Sequence, residues 1–347
     1  MRTLVIGDIH GCYDELIELI NNAKINDSDF IISLGDIVDR GPFSKEVYHF
    51  FKNRPNSKVL MGNHERKHIN NILSYAQEIV KVQFGDEYDD FVNWLKELDY
   101  YFETNDVIIV HAAFEHDKKL YEQREDVLSG STSGERYLEK KYNPDSYWSE
   151  YYNGEKQLIY GHHVTGDNVK IIGKTYGIDT GACHGGYLTA IELPGFIIHQ
   201  VKSKKDYWNE EQKKWQIEVL KSKPWDTMSF EKIKFQLDKL SYIEEPKVKD
   251  LLKEIQEWVA ELDMLLILIK SKIDQITNEI LEKKDVDFSK EAAKYPFNRF
   301  LFMSKSNKLT IKDLEKNLDS PEARITKAKE VGIDINILKL NQIFIKS

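Results

Sequence analysis

The stretch "VIGDIHGCYDEL", residues 5–16, joins an apolar strand to a loop that carries Asp8 and His10. Polar side chains with an affinity for metals are costly at the end of a buried strand unless something compensates them. Working outward, "YDELIELINNA" places Leu16, Ile17 and Ile20 on one helical face, and "FIISLG", "SKEVYHFFKN" and "KVLMG" follow. This strand–helix–strand–helix–strand rhythm predicts a largely parallel, buried sheet flanked by helices. Each of the three strands runs into a glycine followed by metal-type residues: Gly7-Asp8-Ile9-His10, Gly35-Asp36-Ile37-Val38-Asp39-Arg40-Gly41 and Gly62-Asn63-His64-Glu65. Two later strands end alike, at Val110-His111 and Gly161-His162-His163. The carboxyl ends of strands line one crevice in open α/β sheets, so the five loops are expected to converge. Asp and Asn oxygens mixed with imidazoles suit Mn²⁺, Fe or Zn²⁺ better than Ca²⁺. A lone Asp-x-His is ordinarily a hydrogen-bonded turn and a lone Asn-His a helix cap. Five such loops in order are hard to assign to structure alone.

A helical zone, residues 66–98, precedes the strand "DVIIVHAAF". Residues 115–150 are polar and read as an insertion over one face, with "SGSTSGE" as a loop. "LIYG", "GYLTAIEL" and "GFIIHQV" read as late strands, the last two joined at Pro194-Gly195. Beyond Val201 strand signals stop. Leu251, Ile255, Trp258, Leu262, Leu265 and Ile269 recur at steps of four and three within residues 246–284, a heptad-like seam on one long helix. "FEKIKFQLDKL" is expected to pack beside it as a hairpin, and the tail reads as two short helices. "MLLILI", residues 264–269, is apolar all round and must be covered, by the first domain or by a partner. The expected division is a catalytic domain over 1–205 and a helical domain over 206–347, the latter binding a protein partner or self-associating.

With 41% hydrophobic and 31% charged residues over 347 positions, the composition is that of an ordinary soluble globular protein. The net charge of −9 provides no global field towards nucleic acid or anionic lipid. Cys12 and Cys183 are too few for a disulfide framework and suit a reducing cytosol. No charged-then-apolar leader precedes the first strand, and the longest apolar run is too short to span a bilayer, so a cytoplasmic protein away from membranes is expected.

"GDIHG", "GDIVDRG", "GNHE", "VHA" and "YGHHV", followed by "IDTGACHGGYLTAIEL", resemble as a set the phosphoprotein phosphatase branch of the calcineurin-like metallophosphoesterases. The resemblance covers residues 1–201 and is close to small bacterial and phage protein phosphatases and to the phosphatase module of bacterial polynucleotide kinase-phosphatases. It implies a four-layer αββα sandwich, here with an all-helical appendage. It also implies two divalent ions, Mn²⁺ foremost with Fe and Zn²⁺ as alternatives. Carried over by residue, Asp8, His10 and Asp36 would hold the first ion, and Asp36, Asn63, His111 and His162 the second. His163 would be a neighbour of the site, because Val164 stands where many relatives outside this branch have a further histidine. Two such ions hold a shared hydroxide and clamp a phosphoryl group for in-line attack. Arg40 would bind phosphate with its planar fork of donors. His64 would protonate the leaving group, with Asp39 keeping it charged. Asp179 is either a support behind a ligand histidine or a plain turn.

The branch usually supplies a second phosphate-binding arginine before the Gly-His strand, where this chain has Tyr152 and Asn153. Arg66, Arg136 or His184 are candidates to replace it, His184 also as a substrate contact. By the weight of the resemblance a phosphorylated protein is the first expected substrate and an RNA or nucleotide end the second. The symmetrical dinucleoside tetraphosphate hydrolases come third, since they typically have Ala at the position of Asp39 and Asp at that of Glu65. A scaffold with a dead catalytic fold is set against all six ligand positions being filled.

Overall fold

The computed structural model describes residues 2–335 apart from 242 and 244, in two compact units, Met1–Val219 and Leu220–Ser347. The end of the expected helical domain, residues 336–347, lies outside the described residues.

The strands of the first unit are β1 (Thr3–Ile6), β2 (Phe30–Ser33), β3 (Ser57–Val59), β4 (Tyr101–Glu103), β5 (Val107–Val110), β6 (Gln157–Tyr160), β7 (Lys170–Ile172), β8 (Thr175–Gly177), β9 (Tyr187–Leu193) and β10 (Ile197–Lys202). They form two five-stranded sheets in the orders β10-β9-β1-β2-β3 and β4-β5-β6-β8-β7. Parallel trios, β1-β2-β3 and β5-β6-β8, carry antiparallel strands at their flanks. Successive side chains on a strand face opposite ways. Val5, Ile32, Ile109 and Ile159 accordingly pack between the sheets, while Leu4, Ile6 and Ile31 face the helices outside.

The outer face of the first sheet is covered by α1 (Tyr13–Asn22), α2 (Ser44–Asn53), α3 (Asn63–Ile69), α4 (Tyr75–Phe84) and α5 (Tyr88–Leu95). The insertion covers the second sheet, with α6 (Glu125–Leu128) and α7 (Thr132–Lys141). Val127, Leu128, Tyr142 and Trp148 pack there on Ile108, Val110, Leu158 and Tyr160. These are the four layers of an αββα sandwich.

Two expectations change. "SGSTSGE" is not all loop, because Thr132–Glu135 form the first turn of α7. Gly, Ser and Thr are weak helix formers, but Gly134 is buried where α7 meets α6, and a Cβ there would lie 2.0 Å from the Asp126 carbonyl oxygen. The first unit also runs past residue 205, through α8 (Tyr207–Lys214). Tyr207 belongs to the core of the first sheet and its hydroxyl donates to Glu15 Oε1 at 2.7 Å.

After α9 (Gln216–Ser222) and α10 (Phe230–Leu240), the second unit is built on α11 (Pro246–Glu282), with Pro246 in its first turn. All six residues of the expected seam are buried. α11 is covered mainly by the helices that follow it, α12 (Phe288–Ala292), α13 (Asn298–Lys305), α14 (Ile311–Asn317) and α15 (Pro321–Glu330), rather than by α10 as a hairpin. Leu265, Leu266 and Ile269 of "MLLILI" are buried, whereas Met264 and Ile267 are 66% and 60% exposed. No described helix is long and apolar enough to cross a membrane.

Candidate metal centre

Every singled-out loop begins where a parallel strand stops: Asp8 after β1, Asp36 after β2, Asn63 after β3, His111 after β5, His162 after β6. The chain turns sharply at these points. His10, Asp36, Asp39, Arg40 and His162 all have left-handed φ, from 46° to 73°, a conformation that non-glycine residues adopt rarely and at a cost. Glu65, fully buried, holds the Asp36 turn from behind. Its carboxylate accepts from the backbone N–H groups of Asp36 at 2.8 Å, Ile37 at 3.0 Å and Gly62 at 3.1 Å. Gly62 is required there, since a Cβ would lie 2.2 Å from Asp36 Oδ1.

Asp36 is the hub. Its Oδ2 lies 3.6 Å from His10 Nε2 and its Oδ1 3.5 Å from His111 Nε2. The Asn63 side-chain oxygen sits 3.0 Å from Asp36 Oδ2, 3.2 Å from His162 Nδ1 and 3.3 Å from His111 Nε2. His10 donates its other ring proton, on Nδ1, to the Val38 carbonyl at 2.9 Å, which turns the Nε2 lone pair towards Asp36. Asp8 accepts from His162 N at 3.1 Å. Carboxylate and amide oxygens and imidazole nitrogens thus converge in one buried space, a donor set that suits divalent cations. The charges agree with this. Burial pushes the Asp8 carboxyl well up, and Asp179 and Asp36 push it further. Burial would raise Asp36 too, but His111, His64 and His10 hold it far down. Burial, with Arg40 and His64 nearby, lowers the His10 imidazole well below its usual range. Three close carboxyls, those of Asp8, Asp36 and Asp179, with imidazoles about them fit a pair of divalent ions, Asp36 lying between the two groups.

A buried chain of polar groups stands beside this hub. Asp39 Oδ2 is 2.5 Å from His64 Nδ1 and Oδ1 is 3.0 Å from His68 Nε2. His68 Nδ1 in turn meets the Tyr88 hydroxyl at 2.9 Å, and Gln77 also donates to Asp39. Burial would raise Asp39, but His68 and His64 hold it far below the usual carboxylate range. His64 Nε2 is buried without a partner and faces Asp36 Oδ2 at 3.9 Å. No strand-end motif of the sequence includes His68, Gln77 or Tyr88. His68, one turn after His64 on α3, was the available signal.

Around the rim, Arg40 Nη1 donates to His10 Nε2 at 3.1 Å. His184 is exposed, close enough to Arg40 for its imidazole to be lowered, first by partial burial and then by that charge. Asp179 Oδ1 accepts from Gly181 N at 3.0 Å, closing its own turn. Arg66 donates to Ser129 Oγ at 3.2 Å and lies over the Tyr100 ring, so it serves the insertion. Arg136 is exposed on α7, and the Tyr152 hydroxyl donates to the Lys156 carbonyl. The outer nitrogen of His162 is held from an unforeseen direction: Nε2 donates to Glu135 Oε1 at 2.8 Å, leaving the Nδ1 lone pair for the centre. His163 shares that carboxylate at 3.1 Å and meets the Tyr147 hydroxyl at 2.8 Å through Nδ1. Glu135 stands in a stretch whose composition is that of a loop but which forms the first turn of α7.

The calcineurin-like phosphoesterase family profile matches residues 1–184, more than half of the chain. The chain belongs to the calcineurin-like phosphoesterases. As a member it is a metal-dependent phosphoester hydrolase, and the structure gathers two groups of metal-type side chains about Asp36, one with His10 and His64 and one with His111 and His162. It is 30% identical over 251 residues to bis(5'-nucleosyl)-tetraphosphatase PrpE [asymmetrical] of Halalkalibacterium halodurans, covering 60% of this chain and 97% of that protein. It is 26% identical to the Bacillus subtilis protein of the same name, covering 58% of this chain and 95% of the relative. Among solved structures, a protein serine/threonine phosphatase from Saccharomyces cerevisiae aligns at 16% identity and TM-score 0.45, over 59% of this chain and 81% of that one.

Proposed function

We propose that this phosphoesterase hydrolyses the phosphoanhydride of dinucleoside polyphosphates, releasing a nucleoside monophosphate. The observation that carries the reading is the 30% identity maintained across 97% of a bis(5'-nucleosyl)-tetraphosphatase. Asp8, His10, Asp36, Asn63, His111 and His162 would hold two divalent ions, Mn²⁺ foremost, which supply Lewis acidity and water activation when bound. Arg40 swings from His10 to the oxygens of the phosphate under attack, and Asn63 orients that phosphate. Oxygen from water bonds to the α-phosphorus while the bond from that phosphorus to the next bridging oxygen breaks. A tetraphosphate substrate thus gives one monophosphate and one triphosphate. His64 Nε2, unpartnered and facing the hub, gives the leaving oxygen a proton, and Asp39 holds the opposite ring nitrogen.

A second reading, hydrolysis of phosphorylated protein side chains, is favoured by the Asp39–His64 pair itself. An alkoxide leaving group needs a proton more than a polyphosphate does. The test is one panel with Mn²⁺: diadenosine tetraphosphate, phosphoserine and phosphotyrosine peptides, and a 3′-phosphorylated RNA end. The proposal expects the first to have the highest kcat/KM and to yield AMP with ATP. Two ADP, or faster turnover of the peptides, would refute it.

A further inference from the structure

His162 and His163 also line a cleft of about 610 Å³ that opens beneath the inserted segment. Its walls include Leu138, Tyr142, Tyr147 and Trp148, with Asn143 and Ser146 among its polar groups. We infer that this cleft takes the nucleoside attached to the phosphate held at the metal centre, an assignment that rests on the dinucleoside polyphosphate reading above.

The cleft is joined to the chemistry through one residue. The His162 ring presents Nδ1 to the ligand cluster and Nε2 to Glu135, which lines the cleft. A group covalently next to the attacked phosphate is therefore placed at the cleft mouth. The size falls within the ~300–1,000 Å³ usual for small-molecule sites. No lysine or arginine is among the cleft residues, and its charged groups are the carboxylates Glu135 and Glu139 beside the two histidines. Such a lining repels a second phosphate or an acidic peptide and accepts from N–H edges. The polyphosphate is left to the Arg40 side.

Tyr142 and Trp148 are buried and shape the wall, whereas Tyr147 is partly exposed. The Tyr147 hydroxyl is tethered to His163 and its ring lies 5.7 Å from both Trp148 and His163. Lys170 Nζ lies over that ring, 5.1 Å from its centre. Where the ring borders the cleft, it is a fixed platform of the kind on which a base stacks, an interaction that strengthens binding by ~5–150-fold per base. Asn143, whose Oδ1 accepts from Asp145 N at 3.1 Å, supplies its amide NH₂ as a donor for a base edge.

The experiment is calorimetric binding of AMP and, separately, of inorganic phosphate to the full chain with Mn²⁺, for wild type, Tyr147→Ala and Tyr147→Phe. Wild type is expected to bind AMP more tightly than phosphate. Tyr147→Ala should weaken AMP at least ~5-fold and leave phosphate unchanged, while Tyr147→Phe keeps the ring and the AMP affinity. Equal affinities for AMP and phosphate in wild type, or unaltered AMP binding by Tyr147→Ala, would overturn the assignment. Parallel loss of AMP and phosphate binding in the alanine variant would do so too. If Tyr147→Ala instead raises only the KM of a phosphotyrosine peptide, the cleft belongs to an aryl phosphate and the inference fails. Turnover of diadenosine tetraphosphate by wild type is read separately, so an absence of cleavage with AMP selectivity intact counts against the proposed function and not against the cleft.

Discussion

Asp39 ties together the buried chain of polar groups beside the hub. Fully buried and bonded to two histidines and an amide, it keeps its charge where an isolated carboxylate would lose it. If His64 is the proton donor, His64→Ala should slow alkyl phosphate hydrolysis by ~10²–10⁴-fold and p-nitrophenyl phosphate far less, because nitrophenolate leaves unprotonated. Equal losses on the two substrates would remove that role from His64. Glu135 acts on the other side, through the outer nitrogen of His162. Partners of this kind typically change metal affinity by ~10–100-fold. Glu135→Ala should weaken Mn²⁺ binding by that factor in a chelator competition, and Glu135→Gln, which keeps an acceptor oxygen, should weaken it less.

Elements differ in how openly the sequence displays them. Parallel strands buried on both faces announce themselves as short apolar runs, and the polar residues that follow them mark one meeting point, so the convergence of Asp8, Asp36, Asn63, His111 and His162 is legible in the sequence. α7 was not, because its opening Thr132-Ser133-Gly134 has the composition of a turn and its helical state depends on the fit of Gly134 against α6. Glu115, fully buried and bonded to Lys141 at 2.8 Å and Tyr137 at 2.7 Å, fixes the helix in place, and ion pairs between distant positions leave no periodic trace. The seam of α11 was legible for the opposite reason: its spacing alone marks the buried face. Leu262, wholly buried, tests that packing. Leu262→Ala should destabilise the helical unit by about 2–5 kcal/mol, seen in urea denaturation followed by circular dichroism, with p-nitrophenyl phosphate turnover unchanged in the absence of denaturant.

The molecule as a whole divides after Val219, beyond where composition alone suggested, because Tyr207 and the helix it begins belong to the first core. A fragment of residues 1–222 should therefore fold and hydrolyse p-nitrophenyl phosphate, whereas one ending at 205 exposes the Tyr207 site and should be less stable in thermal melts. Acid stability follows from Asp39. Its pKa in the folded protein lies below the unfolded value of ~3.9, so the unfolded chain takes up the proton first as pH falls. The stability it contributes is complete above that value and is lost progressively below it. Urea midpoints measured between pH 5 and pH 3 should fall for wild type and fall less for Asp39→Asn.

The two-sided hold on His162 makes occupancy of the centre visible without any substrate. Stripping ions from the centre is expected to free the inner edge of the ring and to loosen the tether that Glu135 gives to its helix. Arg136, exposed on that helix, then becomes a bond that trypsin cuts sooner, and the rate of that nick is a gauge of loading.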